Sequence, residues 1–255
     1  MPSVSTNVLT RFNFPSIING IAGYYVPNEG TQHVIVGTSD SNIDTLHEVY
    51  WKPGQGVQQD VLTSFTSGFG AGFAGYYVPN EGTQHVIVGN IDNPTSPTVG
   101  IVTEVHWKSG QGVQQDELAR FNGSFHVVGA YYVPEEGTQH TIVITPEGNL
   151  TEMYWKSGQG VQQDVLLPQA GRRYGTAFYS ADDHTQHVVL VSDDGTLTDV
   201  HWQSGQGIHQ DVLTQLSSIT TINEINGLTG YYSANDQKRH AIVATQDGAL
   251  IEAYW

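Results

Sequence analysis

Three features of the sequence predict an all-β fold, a five-bladed β-propeller built from four-stranded antiparallel blades. The first is a repeat: the segment Ala22–Gly37 returns letter for letter at Ala74–Gly89, and looser copies follow at Gly129–Ile144, Ala177–Val191 and Gly230–Ala244. The second is that every copy leads to a Trp, so that the five Trp residues recur about every 50 residues, a period typical of propellers. The third is the pattern of short apolar strands and turn residues, without helical periodicity.

The third repeat, which has the shortest loops, shows the four predicted strands of one blade. Strand A is predicted at Val127–Val133, strand B at His140–Ile144, strand C at Leu150–Trp155 and strand D at Asp164–Leu167. Four short strands per repeat are typical of a propeller blade. The small residues that precede the aromatic pair of strand A are expected where the innermost strands crowd around the axis.

The turns between strands B and C differ between blades. The pairs Glu147-Gly148, Asp194-Gly195 and Asp247-Gly248 suit tight hairpins that require positive φ. Blades 1 and 2 instead carry longer predicted B–C loops, at Thr38–Asp44 and Asn90–Gly100.

The two ends of the chain predict how the ring closes. The segment Val4–Phe12 matches the strand D segments Val57–Phe65 and Val113–Phe121, whereas the chain stops at Trp255, the end of a strand C. We therefore expect residues 7–12 to supply the fourth strand of the C-terminal blade. Closure removes the exposed sheet edge of an open array, and all 255 residues are predicted to form a single domain.

The composition excludes several classes of function. The chain has 25 acidic and 9 basic residues, a formal net charge of −16 and no basic stripe, which argues against nucleic acid and anionic membranes as partners. It contains no Cys, so no disulfide framework and no thiol chemistry are predicted. No segment resembles a secretory signal or a membrane span, so we expect a cytoplasmic protein or one exported without a signal peptide. The sequence does not indicate an oligomeric state.

The loops that stay alike from blade to blade are those expected on one face of the ring. Because the strands alternate in direction, the A–B and C–D loops share a face, and their recurrence predicts one small site built several times. The predicted parts are the Trp that ends strand C, the His that opens strand B, the strand C acid and the Gly-Gln-Gly turn. These residues are Trp51, Trp107, Trp155, Trp202, His33, His85, His140, His187, Glu48, Glu104, Glu152, Gln55, Gln111, Gln159, Gln206, Gly56, Gly112, Gly160 and Gly207.

Together these residue types suit a sugar. An indole packs against the C–H face of a pyranose, while amides, carboxylates and glycine backbone pair with its hydroxyls. A strongly charged ligand would need more cations than the recurrent Lys52, Lys108 and Lys156 supply. Blades 1 to 4 carry complete loops, whereas the A–B loop of blade 5 reads SANDQKRH, so about four working sites are expected. The predicted partners are glycans or glycoconjugates.

Each part of the predicted site also has a structural explanation. The Trp residues would fill the space between blades, the His–acid pairs would be buried hydrogen bonds between strands B and C, and the Gly-Gln-Gly segment would be only a tight turn. A protein-interaction scaffold is the alternative function, and a symmetric protein without a ligand is a third. We expect no metal or cofactor, because one His per blade leaves the rings far apart. Near-identical blades offer no asymmetric catalytic constellation, so no enzymatic activity is predicted.

The strand C pattern resembles that of the β-propeller lectins of fungi and bacteria. It reads Leu-x-Glu-x-aromatic-Trp, as in Leu150, Glu152, Tyr154 and Trp155, and the resemblance covers all five repeats. The fucose-binding members carry such an acid and aromatic residue in each blade, and the five-blade count also resembles tachylectin-like propellers, which bind N-acetylated sugars. The resemblance thus implies a lectin without enzymatic activity. The fucose-binding lectins also use an arginine in each site, whereas no recurrent strand position holds Arg11, Arg120, Arg172, Arg173 or Arg239, which leaves the sugar open.

Overall fold

The computed structural model describes residues 9–11, 17–40, 43–52, 54–66, 68–92, 98–170, 174–216, 225–233 and 235–255. These ranges contain no helix long and apolar enough to cross a membrane. They form strands β1 Ile17–Val26, β2 Thr31–Asp40, β3 Ile43–Trp51, β4 Gln58–Phe65, β5 Gly68–Val78, β6 Thr83–Asp92, β7 Val99–Trp107, β8 Gln114–Asn122, β9 His126–Val133, β10 Thr138–Ile144, β11 Leu150–Trp155, β12 Gln162–Leu167, β13 Tyr174–Ser180, β14 Thr185–Val191, β15 Thr196–Trp202, β16 His209–Gln215, β17 Ile225–Ser233, β18 Lys238–Thr245 and β19 Leu250–Tyr254.

The strands form one antiparallel sheet for each repeat, which confirms the five-bladed β-propeller. Blades 1 to 4 are β1–β4, β5–β8, β9–β12 and β13–β16, each in the order A, B, C, D, and the described part of blade 5 is β17–β19. In blade 3 every strand end lies within two residues of its prediction. The agreement follows from short apolar runs with turn residues between them.

Small residues let the innermost strands of neighbouring blades approach each other closely. A Cβ at Gly129 on β9 would lie 2.6 Å from the backbone nitrogen of Ala177 on β13, and a Cβ at Gly230 would lie 2.8 Å from Cγ2 of Thr176. Both distances are shorter than real Cβ contacts, so a larger residue would push the blades apart. The five strands A surround a central channel of about 840 Å³. The predicted crowding at the axis is thus confirmed.

The apolar core lies between successive blades rather than within any one of them. Ile142 and Leu150 of blade 3, both fully buried, pack with Val188 and Trp202 of blade 4. Similar clusters join blades 1 and 2, blades 2 and 3, and blades 4 and 5. Strand β10 is buried on both faces along its whole length, because a neighbouring blade covers each face. Each blade therefore depends on its neighbours to bury its apolar surface.

The tight B–C turns end on a left-handed glycine. Gly148, Gly195 and Gly248 have φ angles of 82°, 81° and 87°. In blade 3 the Gly148 nitrogen donates to the Thr145 carbonyl at 2.8 Å, so a reverse turn is followed by a residue that favours glycine. The acid of each predicted pair keeps a negative φ, and only the glycine supplies the positive one.

The B–C connections of blades 1 and 2 correct the prediction. Much of the predicted loop Thr38–Asp44, and both ends of the predicted loop Asn90–Gly100, belong to strands that run past the expected ends. The extended ladders keep backbone groups paired over residues that include several β-branched side chains, which favour strands. The paired residues that end these ladders are Asp40 with Ile43 and Asp92 with Val99.

The two sets of loops lie on opposite faces of the ring, as predicted. Glu81 of an A–B loop lines one pocket together with Gly158 of the next blade's C–D loop. A pocket on the other face combines the B–C turn at Gly148 with Phe125, which belongs to a D–A connection. The recurrent loops thus share one face, and the variable loops share the other.

The predicted closing strand, residues 7–12, is described only at residues 9–11; the rest of it lies outside the described residues. Thr10 Oγ1 donates to Gln59 Oε1 on β4 at 2.8 Å. Its counterpart one blade on, Thr63, accepts from Gln115 Nε2 at 2.5 Å. Thr10 therefore has the same position relative to blade 1 that Thr63, on strand D of blade 1, has relative to blade 2.

Candidate functional site

Each blade contains a hydrogen-bonded His–acid pair that joins strands B and C. In blade 3, His140 Nδ1 lies 2.7 Å from Glu152 Oε1, and His140 Nε2 lies 2.6 Å from the Thr138 hydroxyl. Both His140 and Glu152 are buried. The pair therefore links strands B and C, which agrees with the structural explanation given above for these residues. The equivalent pairs are His33–Glu48, His85–Glu104, His187–Asp199 and His240–Glu252.

The imidazole of each pair lies in a row of rings that crosses the blade. In blade 3 the ring of His140 is 5.2 Å from that of Tyr131 and 5.9 Å from that of Tyr154, centre to centre, and both pairs are stacked. The inner ring, Tyr131, is buried, whereas the outer ring, Tyr154, is half-buried beside strand D. The row therefore connects the core of the blade to the rim of a surface pocket.

A tyrosine hydroxyl from strand A ties each of three blades to the next. Tyr24 donates to Gln84, and Tyr76 donates to Gln139, each at 2.9 Å, while Tyr131 and Gln186 are hydrogen-bonded at the same distance. Burial, and the Glu104 carboxylate beside it, hold the pKa of the Tyr76 hydroxyl well above its ordinary value. The Tyr76 side chain is therefore a neutral phenol at the junction between blades 2 and 3.

The Trp residues lie between the blades. Trp107, Trp155 and Trp202 are each 6% exposed and pack in the apolar clusters that join successive blades. Trp51 is half-buried. With the Gln186 amide oriented to satisfy its neighbours, its oxygen accepts from the Trp202 indole at 3.1 Å. Trp107, Trp155 and Trp202 are therefore largely covered by the blades that flank them.

Pockets on the recurrent-loop face lie between adjacent blades and combine residues from both. The pocket between blades 2 and 3 has a volume of about 470 Å³, and the pocket between blades 3 and 4 has about 410 Å³. In the second, His140 and Glu152 of blade 3 meet Trp202 and Gln206 of blade 4. A third pocket of about 360 Å³ brings His187 of blade 4 to Trp255 of blade 5. The predicted site residues therefore come together across blades, with the Trp supplied by the following blade.

The Gly-Gln-Gly segments are tight turns and also pocket walls. Gln111 donates its backbone nitrogen to the Lys108 carbonyl at 2.8 Å, and Gly110 has a φ of 76°, which suits glycine. The second glycine, Gly112, has open space around it. All four Gln side chains at the turn tips are exposed, and the segments of blades 3 and 4 line the pockets described above. The residues at these tips are Gln55, Gln111, Gln159 and Gln206.

Two kinds of pocket residue were not among the predicted site residues. The first is the ring that precedes each Trp, such as Tyr154 or His106, and the second is the strand D aspartate, such as Asp164 or Asp116. His106 Nε2 lies 3.0 Å from Asp116 Oδ2, and the pKa of Tyr154 is raised by burial and by its hydrogen bond to Asp164. Both kinds recur at fixed positions in the repeat, and that recurrence was the signal that could have found them.

The pockets are rich in carboxylates. Glu136, Glu152 and Asp164 line the pocket between blades 3 and 4, where Gln203 takes the place that a lysine holds in blades 1 to 3. The pocket between blades 2 and 3 contains such a lysine, Lys156. Carboxylates accept hydrogen bonds from hydroxyl groups and repel anions. The arrangement therefore suits a neutral polyol better than an anionic ligand.

Comparison with known proteins gives the class of the molecule as a β-propeller. No family model matches the chain, and no curated protein matches its sequence. Among solved structures, the six-bladed lectin of the fungus Aleuria aurantia is 12% identical, with a TM-score of 0.68 over 98% of this chain and 77% of its own. A Burkholderia pseudomallei lectin is 14% identical, with a TM-score of 0.61 over 92% of this chain and 66% of its own.

Similarity at this level extends to an enzyme. The periplasmic gluconolactonase of Pseudomonas aeruginosa is 12% identical, with a TM-score of 0.62 over 92% of this chain and 68% of its own. At such identities the likeness concerns the fold, and function has to be argued from the pockets.

Proposed function

We propose that the protein is a multivalent carbohydrate-binding lectin without enzymatic activity, with its sugar sites between adjacent blades. The observation that carries this proposal is one pocket repeated at successive blade junctions. In the pockets between blades 2 and 3 and between blades 3 and 4, a ring and an aspartate of one blade face the Gly-Gln-Gly turn of the next. A repeated small site suits a small repeated ligand, whereas a catalytic centre is a single asymmetric constellation.

The pocket between blades 3 and 4 shows how a sugar would be held. Tyr154 offers an apolar ring edge beside the exposed carboxylate of Asp164, and Gln206 offers an amide from the opposite wall. Carboxylate and amide groups together pair with the donors and acceptors of vicinal hydroxyls. The volume of about 410 Å³ falls within the range of small-molecule sites.

The lectins of similar fold support the same class of ligand. A mutant of the Aleuria aurantia lectin is known in complex with Fucα1-6GlcNAc and with α-methyl-L-fucoside. The fucose-binding lectins that the sequence resembles use an arginine in each site, whereas the arginine among the residues described for the three junction pockets is Arg239, between blades 4 and 5. The proposal therefore names a neutral sugar and does not specify fucose.

Multivalency gives weak sites a use. A monosaccharide of about 12 heavy atoms, at about 0.3 kcal/mol per atom, binds with about 4 kcal/mol, which corresponds to a Kd near 1 mM. Several such sites on one face raise the avidity for a glycan-coated surface by roughly 10²–10⁴. Three pockets at successive blade junctions on the recurrent-loop face support this proposal.

A glycan array with the purified, labelled protein tests the proposal, followed by titration of the free sugar from any hit. We expect hits that share one terminal sugar, inhibition at millimolar free sugar, and weaker binding by Asp164→Ala and Asp116→Ala. Asp193→Ala, on the opposite face, is the matched control and leaves the affinity unchanged. A blank array from protein that is folded by circular dichroism contradicts the proposal and favours a protein partner instead.

A further inference from the structure

Blade 4 differs from the other blades in the Asp and His side chains on its strands C and D. Asp199 lies directly opposite Asp211, and His201 lies directly opposite His209, in the register of β15 and β16. Residues two apart on a strand share a face, and directly opposed residues are neighbours across it. The four side chains therefore form a two-by-two group on one face of the sheet, and they line the pocket between blades 4 and 5.

The other blades place no second imidazole in this group. The position of His209 is held by Gln in blades 1, 2 and 3, and the position of His201 is held by Tyr in blades 1, 3 and 5. Blade 4 thus has a ring nitrogen where blades 1 to 3 have an amide. The residues at the equivalent positions are Gln58, Gln114 and Gln162 for His209, and Tyr50, Tyr154 and Tyr254 for His201.

The Nδ1 atom of His201 is buried and has no hydrogen-bond partner among the described residues. It lies 3.6 Å from Asp199 Oδ2 and 3.9 Å from Asp211 Oδ2. These distances are too long for hydrogen bonds. They are close to the separation of about 3.4 Å between two donor atoms that share a tetrahedral ion with bonds of about 2.1 Å.

His187 orients this group from one side. Arg239 Nε donates to His187 Nε2 at 2.9 Å, so the proton of that imidazole resides on Nδ1. His187 Nδ1 then donates to the carboxylate of Asp199 at 3.0 Å. Outer hydrogen bonds of this kind fix a ligating carboxylate in place. His187 is therefore a positioning residue rather than a ligand, although it lies within 4.8 Å of Asp199 and His201.

We propose that blade 4 carries a binding site for a divalent first-row transition metal of the zinc class, with His201, His209, Asp199 and Asp211 as its ligands. Imidazole and carboxylate together are the ligand set that such ions take in proteins. Asp199 and His201 lie on the inner strand of the pair, while His209 and Asp211 are exposed, and the His209 ring stacks on that of His201 with their centres 5.6 Å apart. This site departs from the expectation of no metal, which rested on a single His per blade.

Blade 2 provides an internal control. Glu104, His106 and Asp116 also come within 4.8 Å of one another. There, however, His106 Nε2 is hydrogen-bonded to Asp116 at 3.0 Å, and Gln114 stands opposite it. In blade 2 the histidine is therefore already hydrogen-bonded to the strand D aspartate, and a Gln takes the place of the second imidazole.

The test is titration of the chelator-stripped full-length protein with ZnCl2 by calorimetry, without sugar, so that the outcome is independent of lectin activity. We expect one site per chain, and at least a tenfold weaker Kd in His201→Tyr and in His209→Gln. Each substitution introduces the residue that other blades carry at the same position, which favours correct folding. Substitution of Co²⁺ should give the visible absorption of a four-coordinate site, and both variants should lose it.

The control variant is His106→Tyr in blade 2, which should leave zinc binding unchanged. Absence of zinc binding by the wild-type protein overturns the proposal. Equal losses in His106→Tyr and His209→Gln also overturn it, because they indicate general binding to surface histidines. Zinc binding that survives the double substitution of His201 and His209 has the same consequence.

Discussion

Tyr76 of blade 2 donates its hydroxyl to Gln139 of blade 3 at 2.9 Å, in a contact that is buried from solvent. The same hydroxyl lies 3.1 Å from Glu104 Oε1 of its own blade, and Glu104 in turn pairs with His85. One phenol thus connects the His–acid lock inside a blade to the junction between two blades. The stability of the ring and the shape of its pockets therefore depend on the same network.

Tyr76→Phe should lower the free energy of unfolding by about 1–3 kcal/mol, because it removes the hydrogen bond to the buried amide of Gln139 and one of the two polar neighbours of Glu104 Oε1. Chemical denaturation followed by Trp fluorescence measures the effect. Tyr77→Phe is the control, since the Tyr77 hydroxyl accepts from Asn28 at an exposed site, and its loss should cost less than about 0.5 kcal/mol. Equal effects of the two substitutions would refute the role given to Tyr76.

Alkaline pH should destabilise the protein through its buried phenols. Burial, and then the neighbouring Glu104 and Glu152, hold the pKa values of Tyr76 and Tyr131 well above the ordinary value of about 10. Below that pH both folded and unfolded chains keep these protons. Above it the unfolded chain releases them first, so stability falls as pH rises further. Denaturation midpoints between pH 8 and 11 should show the fall, and Tyr76→Phe with Tyr131→Phe should make it shallower.

Most of the fold could be predicted from the repeat itself. In blade 3 the apolar runs and Gly148 define the strands and the hairpin turn, because those signals are local. The long B–C hairpin of blade 1 could not be predicted in the same way. There the pairing of Asp40 with Ile43 depends on a ladder that begins at the other end of the strands, at Gln32 and Trp51.

The site could be predicted only in part. The sequence indicates which residue types recur. Because the blades are nearly identical, however, it does not show whether two recurrent residues meet within one blade or between neighbouring blades. The structure shows that Glu152 meets Trp202 of the next blade, because alternation along strand C points Glu152 and Trp155 to opposite faces. The exposed Asp164 was not among the predicted site residues, because buried and exposed residues recur equally regularly and recurrence alone does not distinguish them.

Trp155→Ala should act on stability, whereas Asp164→Ala should act on binding. Trp155 is 6% exposed in the cluster between blades 2 and 3, and removal of a core Trp costs about 3–5 kcal/mol. Asp164 is exposed at a pocket rim, so its loss should leave the melting temperature nearly unchanged. Thermal denaturation and sugar titration of both variants separate the two roles. If Trp155→Ala removes binding at an unchanged melting temperature, the indole is a sugar platform instead.

Removal of one pocket should lower avidity far more than it lowers the affinity of the remaining pockets. Each site holds a monosaccharide weakly, so attachment to a glycan-coated surface depends on simultaneous occupation of several junctions. Asp116→Ala and Asp164→Ala, singly and together, should each reduce surface retention by roughly tenfold or more. The Kd for free sugar at the remaining pockets should stay the same in calorimetry. Surface plasmon resonance on dense and sparse glycan surfaces makes the comparison, since the sparse surface permits only single contacts. A proportional loss, equal on both surfaces, would mean that the pockets bind independently and that their arrangement on one face has no role in retention.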